Sequence, residues 1–122
     1  MTEITIDIDI PFASWNGSQQ NLDWLDRFYR VMDKHAFFGK SALYIRRSAQ
    51  GRVHYKIVTS QPVTFGKELQ IRAHLDDDPS RIAGDLERFY LKAERSYTGR
   101  CFDEKFIHGH LFKAGEWKQI WP

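Results

Sequence analysis

The sequence predicts one α+β domain, an antiparallel sheet with helices on one face, and three observations predict it. Apolar and polar residues alternate strictly in 3–10, the period-two pattern of a half-buried strand, and 42–48 and 52–58 read as two short strands joined by a tight turn. Between and after these runs, 18–37, 63–75 and the stretch following Asp78 read as helices. The chain has 122 residues, which suits one modest core and is too short for two, so 1–122 is taken as a single domain.

In Glu3 to Ile10, the side chains of Ile4, Ile6, Ile8 and Ile10 take one side and Thr5, Asp7 and Asp9 the other. β-Branched residues suit such a pleat, and Pro11 ends it. A loop through Asn16-Gly17 leads to Ser18, an N-cap candidate. Leu22, Leu25, Phe28, Met32 and His35 or Ala36 then recur at helical spacing, with Gly39 where a C-cap belongs. Ala42 to Ser48 turns Leu43 and Ile45 inward and Tyr44, Arg46 and Ser48 outward. Arg52 to Val58 turns Val53, Tyr55 and Ile57 inward and Arg52, His54 and Lys56 outward. Ala49-Gln50-Gly51 joins the two as a hairpin loop.

After Gln61-Pro62, Val63 to Leu75 forms a helix, and Asp78-Pro79 starts another, an N-cap aspartate before a first-turn proline. Ile82, Leu86, Phe89 and Ala93 give its apolar stripe. Asp76-Asp77-Asp78 reads as a solvated, helix-capping turn. Arg100 to Phe106 returns to strand, Phe102 facing one way and Cys101, Asp103 and Lys105 the other. Leu111 to Trp121 is expected to pack back as a last short strand or coil, with Trp117 and Trp121 in the core or over a sheet edge. The order strand, helix, strand, strand, helix pair, strand is the split βαβ plan (βαββααβ) of ferredoxin-like and RNA-recognition-type folds. It places the first and third strands side by side and the fourth strand on the outer flank of the first.

Hydrophobic residues at 42% and charged residues at 28% make an ordinary globular mixture, neither disordered nor membrane-bound. No apolar run approaches the ~20 residues of a spanning helix, and MTEITIDIDI lacks the basic and apolar regions of a signal peptide. Cys101 is the only cysteine, which excludes an internal disulfide and a cysteine-based zinc site and fits a cytoplasmic, reducing location. A net charge of +2, with a pI near 8.7, weakly favours polyanionic partners.

With the isoleucines of the first strand against the helices, Asp7 and Asp9 face the open side. Arg52, His54 and Lys56 lie beside them, and the fourth strand is expected to bring Asp103 and Lys105. Three carboxylates so placed suit Mg²⁺ or Mn²⁺, and a metal pair can align an attacking hydroxyl with a departing phosphate oxygen. The same charges can instead neutralise one another as cross-strand ion pairs. The residues alone leave both readings open.

At Ile6-Asp7-Ile8-Asp9-Ile10, at Ser48-Ala49-Gln50-Gly51-Arg52-Val53-His54 and at Phe102-Asp103, the chain resembles the archaeo-eukaryotic primase and primase-polymerase superfamily. The resemblance covers that family's catalytic RNA-recognition-type core, with three short motifs in the family's order. It implies template-directed nucleotidyl transfer, with Asp7, Asp9 and Asp103 holding Mg²⁺ or Mn²⁺ and His54 contacting nucleotide phosphates. Arg52 and Lys56 join the phosphate group by strand parity, and Ser48 by its place in the motif. The partners implied are nucleoside triphosphates, single-stranded or primed nucleic acid, and a helicase or other replication subunit.

Two alternatives use the same fold: a nucleic-acid-binding replication accessory protein inactive as a primase, and a metal-dependent nuclease. A binding module needs aromatic rings on the open face to stack bases, and Tyr44 is the one that parity places there, among Arg46, Arg52 and Lys56. His108-Gly109-His110 is similar to the His–hydrophobic–His pair of rolling-circle nucleases, with glycine in place of the hydrophobic residue; it reads better as a loop with two exposed histidines. A structural or regulatory homodimer would use Trp117 and Trp121.

Overall fold

The structure, a computed structural model, describes residues 2–34, 39–91 and 103–122. Along the chain run β1 (Thr2–Pro11), α1 (Phe12–Trp15), α2 (Gln19–Lys34), β2 (Ser41–Arg47) and β3 (Arg52–Thr59), followed by α3 (Phe65–His74) and α4 (Pro79–Leu91). The strands β4 (Glu104–Ile107), β5 (His110–Lys113) and β6 (Lys118–Trp121) complete it. The fold is α+β. An antiparallel sheet has the order β1-β3-β2-β6, and β4 pairs with β5 in a separate hairpin.

Alternation decides the core. Ile4, Ile6 and Ile8 of β1, Leu43 of β2, and Val53, Tyr55 and Ile57 of β3 meet Trp15, Trp24, Phe28, Met32, Ile71 and Leu75 from the helical side. Trp24 stacks on Tyr55 at 3.8 Å between centroids. Each polar tip in this aromatic layer has a partner, as burial demands. Trp15 Nε1 donates to Tyr55 Oη at 2.8 Å, Tyr55 Oη donates to Asn21 Oδ1 at 2.6 Å, and Trp24 Nε1 donates to the Leu75 carbonyl at 2.7 Å. Burial pushes the Tyr55 hydroxyl up to about 12, so it stays a neutral donor.

The local signals hold at the helix starts. Ser18 Oγ accepts from the Asn21 N–H at 3.1 Å before α2, and Asp78 Oδ1 accepts from the Ser80 N–H at 2.9 Å with Pro79 opening α4. The β2–β3 turn has Gly51 at φ 80, a backbone state that disfavours a side chain. The short α1 forms where a loop was expected, and it buries Trp15. The candidate stripe residues His35, Ala36 and Ala93 lie outside the described residues, as do Cys101 and Phe102.

Two expectations are corrected. The first placed the fourth strand against the outer edge of β1. Instead β4 begins at Glu104 and pairs with β5, while β6 joins the opposite edge of the sheet beside β2. The outer edge of β1 is covered by the α3–α4 turn: Asp77 Oδ1 accepts from the Asp7 N–H at 2.7 Å, the Asp78 N–H donates to the Asp7 carbonyl at 3.2 Å, and Arg81 Nη1 reaches the Thr5 carbonyl at 3.4 Å. An edge strand with open backbone groups invites wrong pairing, and this turn occupies it.

The second expectation made Asp76-Asp77-Asp78 a solvated turn. Asp76 is exposed and Asp78 caps α4, but Asp77 is buried, as is Asp85. Arg72 is fully buried too, its Nε 2.7 Å from Asp77 Oδ2 and its Nη1 2.6 Å from Asp85 Oδ2, with Arg81 Nη1 2.5 Å from Asp77 Oδ1. A buried guanidinium requires counter-charge, and the aspartates enter the interior to supply it. Among the described residues, no helix is long and apolar enough to cross a membrane.

Candidate functional site

The register of the sheet builds two rows across its face away from the core. Asp7, His54 and Arg46 stand opposite one another on β1, β3 and β2; Thr5, Lys56, Tyr44 and Gln119 form the next row. On β1, β3 and β2 these residues alternate with inward-facing apolar ones, so their side chains point away from the hydrophobic layer. The backbone N–H and C=O of Asp7 are used by the α3–α4 turn. Asp7 and His54 are therefore a non-hydrogen-bonded pair, the kind whose side chains stand closer.

His54 Nδ1 accepts from Arg46 Nε at 3.1 Å, and its Nε2 lies 3.7 Å from Asp7 Oδ1. The ring is buried, and burial above all, followed by the charges of Arg46 and Arg81, holds it down at about 3. At neutral pH His54 is an uncharged imidazole. The carboxyl of Asp7 is raised, first by burial and then by Asp77, Asp78 and Asp9, against the opposing charge of Arg81. Arg81 Nη2 also bonds Thr5 Oγ1 at 3.2 Å.

Arg46 is nearly enclosed. Its Nη1 meets Asp103 Oδ1 at 2.6 Å, and its guanidinium lies 4.2 Å from the centroid of Trp117. Lys56 Nζ sits between two rings, 4.6 Å from that of Trp117 and 4.9 Å from that of Tyr44. The segment carrying Trp117 is tied down at the base of the β4–β5 hairpin. The Ala114 N–H donates to the Asp103 carbonyl at 2.7 Å, and the Gly115 N–H to the Arg47 carbonyl at 2.8 Å.

The structure thus brings Asp7, His54, Lys56 and Asp103 onto one face, without making the three aspartates converge. Asp9 is ion-paired with Arg52 and lies where the β1–β3 register shifts between Ile8 and Pro11, out of the Asp7 row. Asp103 approaches from the β2 side and stops at Arg46, because no fourth strand lies against β1 to carry it to Asp7. Among the described residues, no group of three His, Cys, Asp or Glu is placed to hold a metal ion. Ser48 is buried, and its Oγ accepts from the Arg52 N–H at 2.9 Å, so it closes the β2–β3 turn.

Two residues of this face, Trp117 and Arg81, escaped the sequence reading, as did one contact of a third, Arg46. Trp117 lies in a tail without periodicity, so no parity rule placed it. Arg81 reaches the face from α4. Arg46 was placed outward by strand parity, but its link to Asp103 had no local signal. Together the face offers fixed cations, two aromatic rings and one neutral imidazole. Compared with known protein families, with curated proteins and with solved structures, the chain matches none.

Proposed function

We propose that this chain is a nucleic-acid-binding protein whose open sheet face holds a single strand, stacking bases on Tyr44 and Trp117 and meeting phosphate with Lys56. One observation carries the reading: Lys56 of β3 lies 4.9 Å from the centroid of the Tyr44 ring of β2 and 4.6 Å from that of the Trp117 ring, which precedes β6, a cation set among stacking surfaces. Aromatic rings with interleaved cations hold single strands because every base has a stacking face and every link a charge. The aspartates of the face do not argue against phosphate, since Arg52 pairs Asp9, Arg46 pairs Asp103 and Arg81 offsets Asp7. The element order up to α4, with β1 beside β3 and β2 beyond, supports a ferredoxin-like, RNA-recognition-type reading of that part of the chain.

The test is fluorescence anisotropy with a labelled oligothymidylate. Trp117→Ala is expected to weaken binding about tenfold, since one stacked base contributes ~1–3 kcal/mol. Lys56→Ala is expected to reduce the salt slope by about 0.7, the loss of one phosphate contact on a single strand. Affinity unchanged in both variants refutes the reading.

A second reading is the minimal primase-polymerase-like nucleotidyltransferase using Mg²⁺ or Mn²⁺. Its support is the crowding of Asp7 by Asp77, Asp78 and Asp9, the setting that a divalent cation relieves. As placed, the aspartates do not form the cage for such an ion, because Asp9 and Asp103 lie against arginines. A primer-extension assay with Mn²⁺ separates the readings. Binding with no product supports the accessory role, whereas longer products abolished by Asp7→Asn support the transferase and shorter ones a nuclease.

A further inference from the structure

A guanidinium carries donors only. Arg46 Nε points at His54 Nδ1 at 3.1 Å in a buried setting, so Nδ1 must present its lone pair. The single proton of the neutral ring then resides on Nε2. That N–H faces the Asp7 carboxylate at 3.7 Å, beyond hydrogen-bond length. Arg46 cannot turn away easily: Asp103 holds Nη1, and the Trp117 ring lies against the guanidinium plane. Protonation of His54 would set two N–H groups against each other across the 3.1 Å contact.

We propose that Arg46 is the positioning residue of this face: anchored by Asp103 and Trp117, it locks His54 in the Nε2–H tautomer, so that the ring offers a hydrogen-bond donor to a phosphate oxygen of bound nucleic acid. This rests on the nucleic-acid reading above and gives Asp103 a different part, the anchor of an arginine. His54 acts as a donor of fixed direction and takes no part in moving protons at neutral pH.

The experiment is long-range ¹H–¹⁵N correlation NMR on the full chain with labelled histidine, assigned by His54→Phe, beside oligothymidylate binding. The wild type is expected to show His54 as the neutral Nε2–H form at pH 7, and Arg46→Leu to admit the Nδ1–H form. Asp103→Asn, which loosens the anchor without emptying the site, is expected to shift the same signal partway. In binding, Arg46→Leu is expected to cost about tenfold in the wild type, the loss of a hydrogen bond to a charged group. It is expected to cost nothing more in a His54→Phe background if Arg46 acts through the ring. A wild-type His54 found as Nδ1–H or as imidazolium overturns the proposal even if the variants fail to fold. So does a full cost of Arg46→Leu in the His54→Phe background. A locked Nε2–H ring in a protein that binds no oligonucleotide overturns the nucleic-acid reading instead and leaves the lock standing.

Discussion

Tyr55 joins two helical elements to the sheet through one hydroxyl, accepting from Trp15 and donating to Asn21. Tyr55→Phe keeps the ring under Trp24 and leaves both polar partners unpaired. The expected cost is about 1–3 kcal/mol in urea unfolding, since an orphaned buried polar group costs more than the bond it made. Glu68 is the other residue with a measurable signature. It is 8% exposed on α3, and burial raises its carboxyl from 4.5 to about 7; Arg72 and Arg81 oppose the rise, and Asp85 and Asp77 add to it. Between those values the unfolded chain releases the proton while the native state keeps it. The stabilisation is full below 4.5 and is lost as the pH rises through about 7. Glu68→Gln is expected to gain on the wild type by up to about 3 kcal/mol at pH 8 relative to pH 4. Equal differences at both pH values would show that Glu68 ionises without penalty.

The α3–α4 turn does two things as an element, closing the edge of β1 and holding a buried ionic cluster. The two are linked at Asp77, whose Oδ1 takes the Asp7 N–H and whose Oδ2 takes Arg72 Nε. One nitrogen of Arg72, Nη2, has no partner among the described residues, so the cluster is strongly but incompletely satisfied. Arg72→Met removes the shared cation and leaves Asp77 and Asp85 buried with weaker compensation from Arg81 and Arg88. Breaking one side of a buried pair costs roughly 3–5 kcal/mol, a loss that thermal denaturation would register. Because the turn also occupies the β1 edge, the variant is expected to self-associate as it loosens. A monomeric variant with unchanged melting would show that the edge is held by the isoleucine face alone.

Across the whole molecule, order of stability should follow the layers. β3 is paired on both sides and contributes Val53, Tyr55 and Ile57 to the core. The β4–β5 hairpin stands apart, with Phe106, Leu111 and Phe112 exposed and a tight turn at His108 and Gly109, both at positive φ. Native-state hydrogen exchange is expected to find the β3 amides among the slowest and those of β4 and β5 much faster, since local opening exposes little there. Protection of β4–β5 equal to that of β3 would mean that the hairpin is docked as firmly as the sheet.

The strand faces, the β2–β3 hairpin and the helix starts at Ser18 and Pro79 were legible because each depends on residues within a few positions. Alternation alone therefore determined that Asp7 and His54 would turn from the core. Other features depend on pairs far apart in the chain. Arg46 and Asp103 are separated by 57 residues, Asp7 and Asp77 by 70. No local period records which guanidinium takes which carboxylate, or that one aspartate of an acidic run will be buried against an arginine on the preceding helix. Tertiary structure decided those matches, because a charge leaves water only when its partner arrives with it.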